Sequence, residues 1–207
     1  MPNEPPASGS PPAEVTRLLA RVADGDTAAG NALFTRLQAE LRRLAERQLG
    51  RDSDSHTLQP TALVHEAWIK VLGENASKVE GRTHLFSLMA KAMRSVLIDH
   101  ARAKLADKRG GGARPLSLDA TGVVSSKDGG LQLRPEDLLA VDETLERLKA
   151  QDGELAQVVE LRFWSGLSNE EIASSLEVHV HTVERRFQVA RAWMQRELAR
   201  LGSGGDR

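Results

Sequence analysis

Ser168-Asn-Glu-Glu-Ile-Ala-Ser-Ser-Leu-Glu-Val-His-Val-His-Thr-Val-Glu-Arg-Arg-Phe-Gln-Val-Ala-Arg-Ala-Trp-Met-Gln-Arg196 is the stretch whose reading decides the fold. Ser168 and Glu171 have the S-x-x-E spacing of a capping box, in which each side chain satisfies a backbone N–H at the start of a helix. The short helix so opened turns Ile172, Ala173 and Leu176 inward, and the small Ala173 lets the next helix cross closely. A turn at Glu177-Val178 leads to a long helix. Along it Val183, Phe187, Ala190, Met194, Leu198 and Leu201 recur at three- and four-residue spacings, the period of one helix face. The opposite face carries His181, Arg185, Gln188 and Arg196, flanked by Thr182 and Arg186. Donors near the start of the second of two helices are what major-groove reading requires. The stretch therefore reads as a helix-turn-helix. Its plainer alternative is a three-helix bundle with a solvated arginine face. Glu177 stands where a turn favours Gly, and Glu184 sets a negative charge among the donors, so the segment alone is expected to hold DNA weakly.

Upstream, Leu155, Val158, Val159 and Phe163 make one apolar face, and Gly166 is placed to end that helix in the left-handed conformation. Residues 136–201 thus form a helical domain, with 202–207 as a frayed tail. Before it, residues 109–135 contain Gly, Ser, Pro and Asp with little periodicity, starting at Gly110-Gly111-Gly112, and read as a flexible linker. Residues 14–108 are helical in pattern nearly throughout. Leu18, Leu19 and Val22 precede a turn at Asp24-Gly25-Asp26, and Leu33, Leu37, Leu41 and Leu44 follow it. Pro60 opens a third helix with Leu63, Val64, Ala67, Trp68 and Val71 on one face, and Gly73–Arg82 reads as a loop. A fourth helix carries Leu85, Leu88, Met89, Ala92, Met93, Val96 and Leu97. The expected architecture is all-α: two small helical domains joined by a flexible linker.

The 207 residues contain 3% aromatics and no Tyr, so the core must be built mainly of aliphatic side chains. Cys is absent, which excludes disulfides and thiolate metal sites and suits a reducing cytoplasm. No apolar run reaches the ~20 residues of a membrane span. Residues 1–13 lack an apolar core and basic residues and read as a disordered leader rather than a signal peptide.

A formal net charge of −1 argues against a nucleic-acid binder until its distribution is considered. Residues 91–114 carry seven Lys or Arg against two Asp; residues 115–160 carry ten acids against four bases; residues 185–200 carry five Arg against one Glu. Two basic stretches flank an acidic one, as expected of two phosphate-facing surfaces. No enzyme pattern survives. His65-Glu66 lacks the second His of a zinc-protease helix, because Ile69 stands there, and no Gly-Lys-Ser/Thr follows Gly112. Asp99 and His100 are adjacent on a helix and point about 100° apart. Neither a metal nor a cofactor is expected.

Four runs carry a family resemblance. Thr57-Leu-Gln-Pro-Thr-Ala-Leu-Val-His-Glu-Ala-Trp-Ile-Lys-Val-Leu72 resembles the polymerase-binding helix of bacterial sigma factors of the extracytoplasmic-function (ECF) type. The run His84-Leu-Phe-Ser-Leu-Met-Ala with Met93-Arg-Ser-Val-Leu-Ile-Asp-His-Ala-Arg102 resembles their promoter-melting and minus-ten-reading helix. Leu161-Arg-Phe-Trp-Ser-Gly-Leu-Ser-Asn-Glu-Glu-Ile-Ala173 and Ala190-Arg-Ala-Trp-Met-Gln-Arg-Glu-Leu198 are similar to their minus-thirty-five-binding domain. The resemblance spans residues 14–201 in order, and departs from the common pattern at Ala62, His65 and His179.

It implies a transcription initiation factor, not an enzyme, that bridges RNA polymerase core and promoter DNA. Leu63, Val64, His65, Glu66 and Trp68 would meet a coiled coil of the largest polymerase subunit. Lys91, Arg94, Ser95, Asp99, Arg102 and Lys104 would face the minus-ten element, with the Gly73–Arg82 loop, His84 and Phe86 near a flipped base. His181, Thr182, Arg185, Arg186, Gln188 and Arg196 would face the minus-thirty-five element. An anti-sigma factor is a further partner the resemblance allows. Read without it, Trp68 fits the core equally well, and the basic run after Lys91 fits a helix end favoured by the dipole. A free-standing helix-turn-helix regulator would account for residues 136–201 but leave the Trp68 helix and the basic run unexplained. A helical sigma-sequestering protein would leave both basic surfaces unexplained.

Overall fold

The computed structural model describes residues 11–49, 58–75, 79–107 and 135–203, and among these every regular element is helical. The first group comprises α1 (Pro11–Ala23), α2 (Thr27–Leu49), α3 (Pro60–Asn75) and α4 (Arg82–Asp107). The second comprises α5 (Pro135–Gln151), α6 (Gly153–Val159) running into a π turn (Glu160–Trp164), α7 (Asn169–Ser175) and α8 (Val180–Ser203). The sequence expectation of an all-α chain holds. Most of the leader and linker, and the end of the tail, lie outside the described residues. At their edges helix extends further than periodicity suggests: α1 starts at Pro11, α5 at Pro135, and α8 runs to Ser203. Proline is tolerated at the first helical position because its missing N–H has no partner there.

Local chemistry sets the turns. Gly25 takes φ +86° between α1 and α2. Asp26 then accepts the Ala29 N–H at 3.0 Å and pairs with Arg21 at 2.6 Å. That backbone hydrogen bond, followed by the one from Arg21, holds the Asp26 carboxyl below its usual pKa. Pro60 opens α3 as expected, but α3 continues through Gly73 to Asn75, so the loop expected from Gly73 is shorter. One exposed glycine costs a helix ~1 kcal/mol, too little to end it against the packing of Val71 and Leu72.

α4 is the centre of the molecule. Leu85, Met89, Ala90, Met93, Val96, Leu97, Ile98 and Ala101 are buried around most of its circumference. A helix apolar nearly all round needs neighbours on several sides, and α4 has them: α1, α2 and α3 on one side, α5 and the π turn on the other. One continuous core therefore holds Leu33, Leu41, Leu63 and Met89 of the first group together with Val141, Leu145, Trp164 and Met194 of the second. A smaller core of Val158, Leu161, Leu167, Ile172, Ala173 and Val183 lies inside the helix-turn-helix. Among the described residues, no helix is long and apolar enough to cross a membrane.

Candidate nucleic-acid interface

The helix-turn-helix is assembled by caps. Ser168 Oγ accepts the Glu171 N–H at 3.2 Å, and Glu171 Oε2 accepts the Ser168 N–H at 2.9 Å, completing the capping box read from sequence. Gly166 adopts φ +65° and ends the preceding helix, as expected. The π turn before it is not visible in the periodicity. Glu177 takes φ +54°, the left-handed conformation its position demands, and Val178 N–H closes the turn on the Ala173 carbonyl at 3.0 Å. His179 replaces the usual hydroxyl cap: its Nδ1 accepts the His181 N–H at 3.3 Å, and its ring stacks on that of His181.

Along α8 the apolar stripe packs inward, with Val183, Ala190, Met194 and Leu198 buried. His181, Arg185, Gln188 and Arg196 are exposed on the other side, and Thr182 is half-buried at its edge. Arg185, Gln188 and Arg196 have no side-chain partner among the described residues, so their donors face solvent. Two neighbours are engaged. His181 meets Glu184 at 3.1 Å. Arg186 pairs with Glu154 of α6 and its side chain is only 19% exposed. Arg162 reinforces the packing beneath, lying over the Phe187 ring at 4.2 Å and donating to Asn169 Oδ1 at 2.6 Å.

The residues assigned to the minus-ten surface are divided among different surroundings. Ser95, Asp99 and Arg102 border the side of α4 facing α3, where Lys70 Nζ donates to Ser95 Oγ at 2.9 Å. Lys104 falls roughly 140° around the helix from Lys91 and is half-buried. Lys91 and Arg94 turn toward the second helical group. Lys91 Nζ lies 3.3 Å from Glu160. Arg94 is buried, in ion pairs with Asp142 and with Glu146 and Glu160 at 3.2 Å each. Near the expected base-holding loop, Phe86 is buried beneath the Arg82 guanidinium, 4.8 Å from its ring centroid, and His84 Nδ1 accepts the Glu80 N–H at 3.3 Å.

The five core-binding candidates also divide. Leu63 and Val64 are wholly inside the core and present no surface. His65 and Glu66 are exposed, and half-buried Trp68 packs edge-on against Phe34 at 5.1 Å. The structure adds Ile69, a large apolar side chain 71% exposed, beside Lys70 in a groove with Glu66, Val96, Asp99, His100 and Ala103. The exposed isoleucine one turn from His65 was the sequence signal for it; it read instead only as a missing zinc ligand.

A third set of contacts was not legible in advance. Gln48 Nε2 donates to the Trp164 carbonyl at 2.9 Å, and Arg47 donates to the Ser165 carbonyl at 3.4 Å, tying α2 to the π turn. Burial, and secondarily the nearby Arg43 charge, lower the Arg47 pKa from its ordinary value.

No curated protein matches the chain. The family model described as ECF sigma factor matches residues 12–200, nearly the whole described molecule, and the chain belongs to the ECF sigma factor family.

Proposed function

We propose that this chain, which belongs to a family acting in transcription initiation, is a dissociable subunit that binds RNA polymerase core, directs it to particular promoters and assists their melting, and catalyses nothing itself. Residues 14–108 would grip core and the minus-ten element, and residues 136–201 the minus-thirty-five element. The observation that carries this reading is the outward row His181, Arg185, Gln188 and Arg196 on a capped second helix, within a chain that the family model matches over residues 12–200. Such a row can place donors against base edges and phosphates while the apolar stripe keeps the helix seated on α7.

Core would dock on the exposed face of α3 through His65, Glu66 and Ile69, with Trp68 supporting them from the half-buried edge. In the minus-ten helix, Asp99 and Arg102 are exposed to a melted strand, whereas Ser95 accepts a hydrogen bond from Lys70, Lys91 pairs with Glu160 while staying exposed, and Arg94 is buried among carboxylates. Mixing the purified protein with core polymerase from its own cells and mapping transcripts tests the reading. Promoter-dependent transcripts are expected; absence of any stable complex with core would sink it. Ile69→Asp should reduce retention on core in a pull-down while changing the thermal melt little, because the side chain is 71% exposed. Full retention by Ile69→Asp would remove this face from the interface.

A further inference from the structure

We propose that docking of α8 on duplex DNA takes up a proton at His181, so that this end of the chain grips its promoter more tightly as its surroundings acidify. It rests on the reading of α8 as a DNA-facing helix. It also gives His179 and Glu184, which interrupt a plain row of donors, a part in binding.

Three observations carry it. First, the two histidines at the start of α8 have different duties. His179 Nδ1 accepts the His181 N–H at 3.3 Å, and a ring nitrogen that accepts carries no proton. Protonation there would cost α8 its cap and set a positive charge against the positive end of the helix dipole. His181 caps nothing. Its side chain is 83% exposed, and Glu184 is its one side-chain hydrogen-bonding partner among the described residues.

Second, the proton has a place and a use. Glu184 Oε2 lies 3.1 Å from His181 Nδ1. With a proton on Nδ1 facing that carboxylate, the neutral ring keeps Nε2 as an acceptor; a second proton makes Nε2 a donor and the ring a cation. The cation cancels the charge by which Glu184 repels phosphate and adds a donor to the row of Arg185, Gln188 and Arg196. Stacking of the two rings, 5.2 Å between centroids and 27° between planes, limits them to one added proton, because two cations so close repel.

Third, the charges around His181 leave the decision to the DNA. On α8 they are Glu184 and the exposed Arg185, and in the turn the exposed Glu177. α7 keeps its acids, Glu170 and Glu171, in its first turn, with Glu171 closed in the capping box, and meets the turn through Ser174 and Ser175. Glu154 of α6 is taken by Arg186, and Arg162 of the π turn lies over Phe187. With both rings neutral, Glu177, Glu184 and Arg185 leave the start of α8 one charge negative. A single proton brings it to neutrality, and an approaching row of phosphates favours that uptake. A complex that holds more protons than its separate parts is strengthened by acid.

Affinity of the full chain for a random-sequence duplex of about 30 base pairs, measured from about pH 8 to about pH 6 at several salt concentrations, tests this. A rise of about three- to tenfold toward the acid end is expected. The log–log salt slope should steepen there by up to about 0.9, as one more cation meets phosphate. Calorimetry in two buffers of different ionisation enthalpy should count up to about one proton taken up per binding event. His181→Gln should lose the uptake and most of the pH dependence. His179→Ser, which replaces the ring with a hydroxyl cap, should keep both.

Binding with no proton taken up would overturn the proposal, and uptake that persists in His181→Gln would do the same. Uptake lost in His179→Ser but kept in His181→Gln would move the proton to His179 and defeat the assignment. Circular dichroism of each sample guards against acid unfolding: an affinity change that tracks loss of helix in the wild-type chain counts against the site. Absence of duplex binding at every pH would remove the DNA-facing reading of α8 as well, whereas binding without proton uptake removes this inference alone.

Discussion

Glu177 shows how one residue can be both required and costly. The turn between α7 and α8 needs a left-handed residue, and a side chain with a Cβ pays about 1 kcal/mol or more there. Glu177→Gly should therefore stabilise the chain by up to about 1 kcal/mol, seen as a rise in Tm of about 2–4 °C; a fall would mean that the Glu177 side chain makes an offsetting contribution. Gly166 has the converse requirement. It combines φ +65° with a close approach of the Arg47 guanidinium, so an added methyl group would meet both backbone strain and that side chain. His179 adds a third case: a ring nitrogen serves as helix cap, a role the sequence pattern reserves for short hydroxyl or carboxamide side chains. Glu177 and His179 were visible as departures from pattern and Gly166 as the expected left-handed helix end, and the structure supplies the conformation of each.

At the scale of the element, caps and stripes do most of the specification. Ser168→Ala should destabilise the chain by about 1 kcal/mol, lowering the urea midpoint with the slope unchanged, whereas Ser168→Asp should retain most of the stability. A slope that falls with the midpoint would indicate that the helix-turn-helix unfolds separately. The recognition helix also separates two arginines that adjacent sequence makes look equivalent. Arg185 faces solvent; Arg186 is held against Glu154. Arg185→Ala should flatten the salt dependence of promoter binding by about 0.9 in log–log slope, the release of one counterion, and Arg186→Ala should change it less. Equal losses from the two would show that Arg186 abandons Glu154 on binding. On α3 the same logic divides Leu63 and Val64, which fill the core, from His65, Glu66 and Ile69, which face outward.

For the whole molecule, the shared core around α4 predicts coupled unfolding. The wild-type chain should melt in a single transition by tryptophan fluorescence and by circular dichroism alike. Asp142→Asn with Glu160→Gln should split it into two, since the ion pairs around Arg94 join the group holding Trp68 to the one holding Trp164 and Trp193; a single coincident transition in that variant would mean the apolar contacts of α4 couple the groups unaided. Helix positions, the capping box, the left-handed residues and the apolar stripe of α8 were all legible in the sequence. Each depends on side chains within a few residues of one another, where spacing alone determines which face a residue joins. The engagement of Lys91 and Arg94 was not legible. Asp142 and Glu160 lie 48 and 66 residues beyond Arg94, and a run of basic residues reads the same whether it faces water, phosphate or another part of its own chain. Only the tertiary structure, by folding the acidic stretch back onto α4, decides which of its cations are open and which are already paired.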